Sequence, residues 1–260
     1  MNKTSLLWFV ISLGLLGGLQ AHASSLSHRG ETTSPLHSWA LESNEYSTRI
    51  LEVYSSQGCS SCPPAEKWVN SWLESPDLWL KFIPMVFHVD YWDYLGWRDP
   101  FAKPNYSARQ SQYKHQGLAN AVYTPGFMLD GKEWRGWFRG KSVSPINNKS
   151  GKLTVLIKGT DVRASFSETS PGDQLNLALL GFGFNTYVSS GENRRKSLRQ
   201  EFVVLSHKEV DLIDNVWLTQ VDEPSVSADQ YALVAWVTSK NSLRPKQVAG
   251  GFVPNQLFDF

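Results

Sequence analysis

Cysteine is scarce in this chain, and its scarcity confines one class of chemistry to one place. Only Cys59 and Cys62 occur among 260 residues, and they lie in the same short stretch. Since no cysteine follows residue 62, the second half of the chain cannot carry thiol or disulfide chemistry.

An excess of charge of either sign is also lacking. The sequence holds 25 Lys and Arg residues against 24 Asp and Glu residues, and removal of a leader that contains Lys3 leaves 24 of each. A chain with no basic excess is not expected to bind nucleic acid or an anionic membrane surface.

Long apolar runs are absent after residue 23. No stretch in that part of the chain reaches the roughly 18 apolar residues of a membrane-spanning helix. Before that point, the apolar run from Leu6 to Leu19 follows Lys3 and precedes Ala21-His22-Ala23, a pattern typical of a cleaved signal peptide. We predict cleavage after Ala23, a periplasmic or secreted protein, and no membrane insertion of the mature chain.

The two cysteines lie in residues 58–64 (GCSSCPP), between an apolar run at 49–55 and an amphipathic helical pattern. A strand, a Cys-x-x-Cys pair and a helix in this order are typical of a thiol–disulfide redox site. A cysteine just ahead of a helix lies near unpaired N–H groups and the positive end of the helix dipole, which favour the nucleophilic thiolate. We therefore expect Cys59 to attack and Cys62 to resolve the mixed disulfide, provided that solvent reaches the Cys59 sulfur.

The next segments predict a second buried strand at 81–89 and a helix at 105–117. Thr124 and Pro125 then precede a short apolar strand at 127–129 and an Asp130-Gly131 hairpin turn. A proline beside the start of a strand is a candidate for a cis peptide bond.

From Gly151 onward, short alternating runs are separated by turn signals such as Ser170-Pro171-Gly172-Asp173, a pattern that predicts an antiparallel β-sandwich. The predicted organisation is a signal peptide (1–23), an extended lead-in (24–47), an α/β domain (48–145) and a β-sandwich domain (150–260). A polar run at 144–149 separates the last two.

This order of elements resembles the thioredoxin superfamily, with a glutaredoxin-type β-α-β-α-β-β core that carries a helical insertion. A closer resemblance is to a family of secreted bacterial thioredoxin-like proteins, domain of unknown function 1223. The stretches that carry it are 56–65 (SQGCSSCPPA), 87–97 (FHVDYWDYLGW), 123–125 (YTP) and 191–193 (GEN). The resemblance implies an α/β thioredoxin-like fold for the first domain but no established activity.

The resemblance also implies roles for individual residues. Cys59 would be the nucleophile, Cys62 the resolving thiol and Pro125 a cis-proline packed against the disulfide. Thr124 would offer backbone hydrogen bonds to an extended substrate.

One part of the thioredoxin pattern is missing. Val53 stands where thioredoxins have a buried aspartate that relays protons, and Glu52 should face the other side of the strand. Asp90 and Asp93, just past the second buried strand, are our candidates for the missing proton acceptor.

The leading hypothesis is a thiol–disulfide oxidoreductase that needs no cofactor and holds a protein or small thiol substrate as a mixed disulfide, with an unidentified redox partner. Two alternatives remain open. One is a non-enzymatic binding module in which the disulfide only braces a loop. The other is a copper or zinc carrier that uses Cys59, Cys62 and a histidine, His88 or His115.

Overall fold

Strands dominate the protein. The computed structural model describes residues 38–254 and 257–258, of which 43% lie in strands and 15% in helices. The predicted signal peptide and residues 24–37 of the lead-in lie outside the described residues. The elements in chain order are β1 (Ser38–Glu42), β2 (Arg49–Ser55), α1 (Cys62–Asn70), β3 (Phe82–His88), α2 (Pro104–His115), β4 (Gly126–Leu129), β5 (Lys132–Glu133), β6 (Leu153–Lys158), β7 (Asp161–Phe166), β8 (Asp173–Phe182), β9 (Phe184–Val188), β10 (Lys196–Gln200), β11 (Val203–Asp211), β12 (Trp217–Gln220), β13 (Gln230–Ser239) and β14 (Pro245–Val253).

The largest sheet crosses the predicted division of the chain. It has eight strands in the order β14-β13-β8-β11-β3-β2-β4-β5, so strands from both predicted domains are hydrogen-bonded to one another. The prediction of an α/β thioredoxin-like domain followed by an antiparallel β-sandwich is therefore wrong: the fold is a large mixed sheet with a smaller antiparallel sheet. The predicted boundary near 145–150 falls in the segment between β5 and β6.

The junction between β3 and β11 explains this difference. β3 is buried along nearly its whole length, and its N–H at Val86 donates to the carbonyl of Phe202 at 2.9 Å, beside the parallel pairing of Val86 with Val203. A buried strand edge with unpaired backbone groups is costly, and β11 removes that edge. Residues more than one hundred positions apart are joined in this way, which no local pattern predicts.

A second sheet, in the order β1-β6-β7-β12, packs over part of the large one. The alternating burial of β6 and β7 turns one face of this sheet inward. The shared core contains Leu153, Val155 and Ile157 of β6 against Leu175, Leu177 and Leu179 of β8. β1 comes from the predicted lead-in, so that part of the chain is built into the structure as an edge strand.

Strands β2 and β3 run parallel at the centre of the large sheet, and β4 pairs antiparallel with β2. The peptide bond between Thr124 and Pro125, just before β4, is cis, as the sequence predicted. α1 contacts one face of β2, where Glu66 bonds to Ser55, and α2 contacts the other, where Arg109 bonds to Glu52. In the described part of the chain, no helix combines the length and apolar character needed to cross a membrane.

Candidate functional site

The two cysteines form a disulfide, with their Cα atoms 5.5 Å apart. It joins the first residue of α1 to the loop of residues 56–61 between β2 and α1, which we call the redox loop after the predicted redox site. Cys62 is the first residue of α1, and the two prolines that follow it occupy the first turn, where a missing N–H costs no helical hydrogen bond. The loop is held by its own backbone: Cys59 donates its N–H to the Ser56 carbonyl at 3.1 Å, and Cys62 donates to the Cys59 carbonyl at 3.2 Å. The disulfide thus lies at the N-terminus of a helix, as the sequence predicted.

Solvent does not reach the sulfurs freely in this conformation. Cys59 is 1% exposed and Cys62 0% exposed, whereas the residues between them, Ser60 and Ser61, are exposed. The Cys59 Sγ lies 3.4 Å from the Oγ of Ser61. The expectation of a solvent-accessible Cys59 is therefore wrong for this conformation.

Trp92 forms one part of the cover. Its indole Nε1 donates to the Oγ1 of Thr124 at 2.7 Å, which ties it to the residue before the cis-proline. On its other side, a Cβ added to Gly58 would lie 3.0 Å from the Cβ of Trp92, so a side chain at position 58 would force a shift. Gly58 is therefore required by the close approach of Trp92, which connects the redox loop to the Thr124-Pro125 segment.

The tip of the β9–β10 hairpin, residues 189–195, forms the other part of the cover. The buried Asn193 donates from its Nδ2 to the carbonyls of Gln57 and Cys59, at 2.9 and 2.8 Å. The exposed Glu192 accepts the N–H of Ser60 at 2.9 Å, and hydrogen bonds from the side chain and the backbone of Ser60 lower the pKa of its carboxyl. The hairpin tip therefore grips the redox loop on both sides of Cys59.

A buried histidine–aspartate pair lies beneath the loop. The Nδ1 of His88, at the end of β3, is 2.7 Å from the Oδ2 of Asp99. Asp99 also accepts the N–H of Gln57 at 2.8 Å and the N–H of Phe101 at 3.0 Å. The pair is therefore bonded directly to the backbone two residues before Cys59.

The pair has a defined protonation preference. Burial favours neutral forms, but the mutual attraction of the two side chains outweighs it: the pKa of Asp99 is lowered and the pKa of His88 is raised. Asp99 thus stays ionised while His88 retains its proton to a higher pH than in water. The other ring nitrogen, Nε2 of His88, is buried and has no hydrogen-bond partner.

Glu66 completes the buried cluster from the helix side. It lies four residues after Cys62, on the same face of α1, and is 4% exposed. Its Oε1 is hydrogen-bonded to the hydroxyl of Ser55 at the end of β2. Burial raises the pKa of Glu66, although the nearby His88 and the bond from Ser55 oppose that rise.

A cavity of about 430 Å³ connects this helix face to the surface between α1 and β10. Glu66 lines the cavity at its inner side. The exposed side chains of Lys67, Glu74 and Arg199 also line it and form its outer rim. The buried residue Glu66 thus lines a space that opens to solvent, and neither cysteine lines that space.

Asp90 and Asp93 lie in the loop after β3, where Asp90 is bonded to α2 and Asp93 to the loop itself. The Oδ1 of Asp90 accepts the hydroxyl of Ser107 at 2.5 Å, and the Oδ1 of Asp93 accepts the N–H of Asp99 at 3.2 Å. Partial burial raises the pKa of Asp93. The structure does not show either carboxylate bonded to the redox loop, and their proposed role as proton acceptors stays a prediction.

The sequence analysis did not single out Glu66. The available signal was its spacing, since a residue four positions after Cys62 must share that cysteine's side of α1. Asn193 and Glu192 were visible only as part of a motif. His88 was considered only as a metal ligand. His115 is exposed at the end of α2, and the described residues contain no group of three or more His, Cys, Asp or Glu side chains arranged to hold a metal ion.

Comparison with known proteins identifies the family. The family described as "Protein of unknown function (DUF1223)" matches residues 50–238, most of the chain, and the chain belongs to it. No curated protein matches the chain.

Two solved structures are similar. An X-ray crystal structure of a protein from Agrobacterium tumefaciens shares 21% identity, with a TM-score of 0.54 over 81% of this chain and 96% of that one. HBP35 of Porphyromonas gingivalis shares 9% identity, with a TM-score of 0.51 over 80% of this chain and 76% of that one. At these identities the likeness concerns the fold alone.

Proposed function

We propose, for this member of the DUF1223 family, that the Cys59–Cys62 pair is a redox-active disulfide and that the protein is a thiol–disulfide oxidoreductase of the periplasm or the extracellular space. The observation that carries the proposal is the position of the pair at the N-terminus of α1. There, backbone N–H groups and the helix dipole stabilise a thiolate by about 0.3–1 kcal/mol, and up to about 2 kcal/mol when the site is partly buried. A stabilised thiolate is both a competent nucleophile and a good leaving group.

The exchange proceeds through a mixed disulfide. A substrate thiolate attacks the Sγ of Cys59, the Cys59–Cys62 bond breaks, and the electron pair remains on the Sγ of Cys62. A second substrate thiolate then attacks the substrate sulfur of the mixed disulfide, which releases the oxidised substrate and leaves Cys59 as a thiolate. Run in reverse, the same steps reduce a substrate disulfide and re-form the Cys59–Cys62 bond, and the redox potential of the pair decides the direction.

The cover must open for either direction. Asn193 holds the redox loop through two hydrogen bonds and Glu192 holds it through one, while Trp92 is bonded to Thr124. A neutral hydrogen bond such as those of Asn193 contributes about 0.5–1.5 kcal/mol. An opening that breaks a few such bonds occurs often enough to admit a substrate. In the open form, the backbone of Thr124 would bind an extended segment of the substrate beside Cys59.

The burial of both cysteines favours one other candidate function, a binding module with a bracing disulfide. The two functions differ in redox potential. Redox-active pairs of this kind lie at about −120 to −270 mV, whereas structural disulfides of secreted proteins lie below about −300 mV. If the disulfide only braces the loop, it should become reduced only when the chain unfolds.

The test is the redox equilibrium of the folded protein. After incubation in glutathione and dithiothreitol buffers, alkylation and mass spectrometry give the reduced fraction, and circular dichroism reports folding. We expect reversible reduction within the range of redox-active pairs without loss of structure. A pair that is reduced only when the chain unfolds would show the bracing function instead.

A trapping experiment determines which of the two sulfurs reacts with the substrate. Cys62→Ser should accumulate a mixed disulfide when the Cys59 thiolate attacks a disulfide substrate, whose other sulfur leaves as a thiolate, whereas Cys59→Ser should accumulate little. Dithiothreitol-driven reduction of insulin should exceed that of the Cys59→Ser control. Equal trapping by both variants would contradict the assignment of Cys59 as the sulfur that reacts with the substrate.

A further inference from the structure

We propose that Glu66, His88 and Asp99 together form the proton-transfer centre of the redox loop, and that the cavity between α1 and β10 is its route to solvent. This inference rests on the proposed function of the Cys59–Cys62 pair. The cluster is bonded to the backbone of that loop through Asp99 and to the last residue of β2 through Glu66.

A proton donor is needed because of the burial of Cys62. When the disulfide opens, the electron pair remains on a sulfur whose residue is 0% exposed, and the helix N-terminus stabilises only part of that charge. Water has no direct access to that buried residue in this conformation. A buried ionisable group beside the loop is therefore the candidate proton donor.

The cluster is attached to both sides of the disulfide. On the strand side, Ser55 is bonded to Glu66, and the N–H of Gln57 is bonded to Asp99. On the helix side, Glu66 lies one turn after Cys62 on the same buried face. Movement of the redox loop and the charge state of the cluster are thereby coupled.

The bonding of the cluster is incomplete in a way that suits proton transfer. No lysine or arginine pairs with Glu66: its neighbours are the hydroxyl of Ser55, the amide of Gln200, His88 and Asp99. His88 has one buried nitrogen, Nε2, without a partner. Groups held only for stability are generally paired in full, whereas Glu66 can change protonation without leaving a lysine or arginine unpaired.

The charged groups around Glu66 define the direction of the step. His88 comes from β3 and Asp99 from the loop before α2, while Lys67, Glu74, Arg199 and Glu201 line the cavity from α1 and β10. Glu66 gives its proton to the thiolate of Cys62 and becomes a carboxylate, whose charge the protonated His88 offsets. The cavity then returns a proton from solvent to Glu66, and reoxidation reverses the order.

The experiment measures the rate at which dithiothreitol reduces the disulfide, as a function of pH, in the full chain and in Glu66→Gln. We expect the variant to react about a hundredfold more slowly near neutral pH and to lose the wild-type dependence on the ionisation of Glu66. Asp173→Asn is the matched control: that carboxylate is equally buried but pairs with Lys246, far from the loop in sequence. Its rate and its pH profile should stay those of the wild type.

A second measurement does not depend on the variant folding. Infrared difference spectra between oxidised and reduced wild-type protein should show a carboxylic-acid band that changes with redox state, and Glu66→Gln should lack it. Wild-type protein that is reduced in its folded state without any such band, or a folded Glu66→Gln with unchanged rates and pH profile, would overturn the proton-transfer role alone. A wild-type disulfide that resists reduction in the folded protein would overturn the proposed function itself.

Discussion

A buried glutamate lies on each side of strand β2, Glu52 on the strand itself and Glu66 on helix α1, and the two have opposite surroundings. Glu52 accepts two hydrogen bonds from Arg109, at 3.0 and 2.7 Å, and one from each of Tyr54 and Tyr113, at 2.7 and 2.8 Å. Glu66, on the helix over the opposite face, has no guanidinium partner and lies beside the His88–Asp99 pair and a cavity.

The protonation of the two clusters differs accordingly. On the face of Glu52, the attraction of its carboxylate outweighs burial and raises the pKa of Arg109, so the guanidinium stays charged. The rings of Phe87, Tyr113 and Trp236 pack around that guanidinium. On the other face, burial raises the pKa of Glu66, so this carboxyl keeps its proton to a higher pH than a carboxyl in water. The comparison teaches that equal burial yields a structural ion pair where a cation is supplied, and a titratable site where it is not.

The largest expected effect concerns the structural face. Arg109→Met leaves Glu52 without its cation in a buried position, so we expect a loss of about 3–5 kcal/mol of unfolding free energy, measured by urea denaturation. The double variant Arg109→Met/Glu52→Gln should recover much of this loss, because no buried charge is then unpaired. A single variant that loses less than about 1 kcal/mol would show that Glu52 is not held mainly by the guanidinium.

The next largest effect is expected for Asp99→Asn, which should lose about 2–3 kcal/mol of unfolding free energy. The charged hydrogen bond between His88 and Asp99 is replaced in this variant by a weaker, neutral acceptor. The loss depends on pH. The lowered pKa of Asp99 contributes stability that is lost as pH falls through its folded pKa, and the raised pKa of His88 contributes stability that is lost as pH rises through its folded pKa.

The difference between wild type and Asp99→Asn should therefore be greatest between those two folded pKa values and smaller on either side. Chemical denaturation across a pH series measures it. His115 is exposed, so His115→Gln serves as the control and should leave the pH dependence unchanged. A pH-independent difference for Asp99→Asn would rule out an ionised pair.

Asn193→Ala should cost about 2 kcal/mol, because two buried backbone carbonyls, those of Gln57 and Cys59, lose their donor. It should also speed the reaction of dithiothreitol with the disulfide, since the hairpin tip no longer grips the redox loop. Asn185→Ala, an exposed position on the same hairpin, is the matched control. Faster unfolding without faster reduction would show that the hairpin tip does not limit access.

The smallest expected effect on stability is that of Glu66→Gln. Its unfolding free energy should stay within about 1 kcal/mol of the wild type near neutral pH, because the substitution leaves no lysine or arginine unpaired. The pKa of Glu66 is raised in the folded protein, so its contribution to stability is present at low pH and is lost as pH rises through that folded pKa. The variant should lack this decline, which urea denaturation at several pH values measures. An unchanged decline would assign it to another group.

Several features of the site were predictable because they depend on neighbours in sequence. The Cys-x-x-Cys pair, the prolines of the first helical turn and the Asp130-Gly131 turn appear where the sequence predicted them. The alternation of β2 also correctly placed Glu52 on the face opposite the redox helix. The cover of the disulfide was not predictable, because Asn193 comes more than 130 residues after Cys59.

The sequence by itself determined a disulfide-forming pair between a strand and a helix, since strand alternation, helix periodicity and proline placement act within a few residues. Only the tertiary structure decided the rest. The pairing of β3 with β11 merges both halves into one sheet, and the hairpin tip buries Cys59. The tertiary structure also decided that Glu66 is buried near His88 and not exposed to solvent. Burial, hydrogen bonding and protonation depend on which distant segments meet, and that is a property of the whole fold.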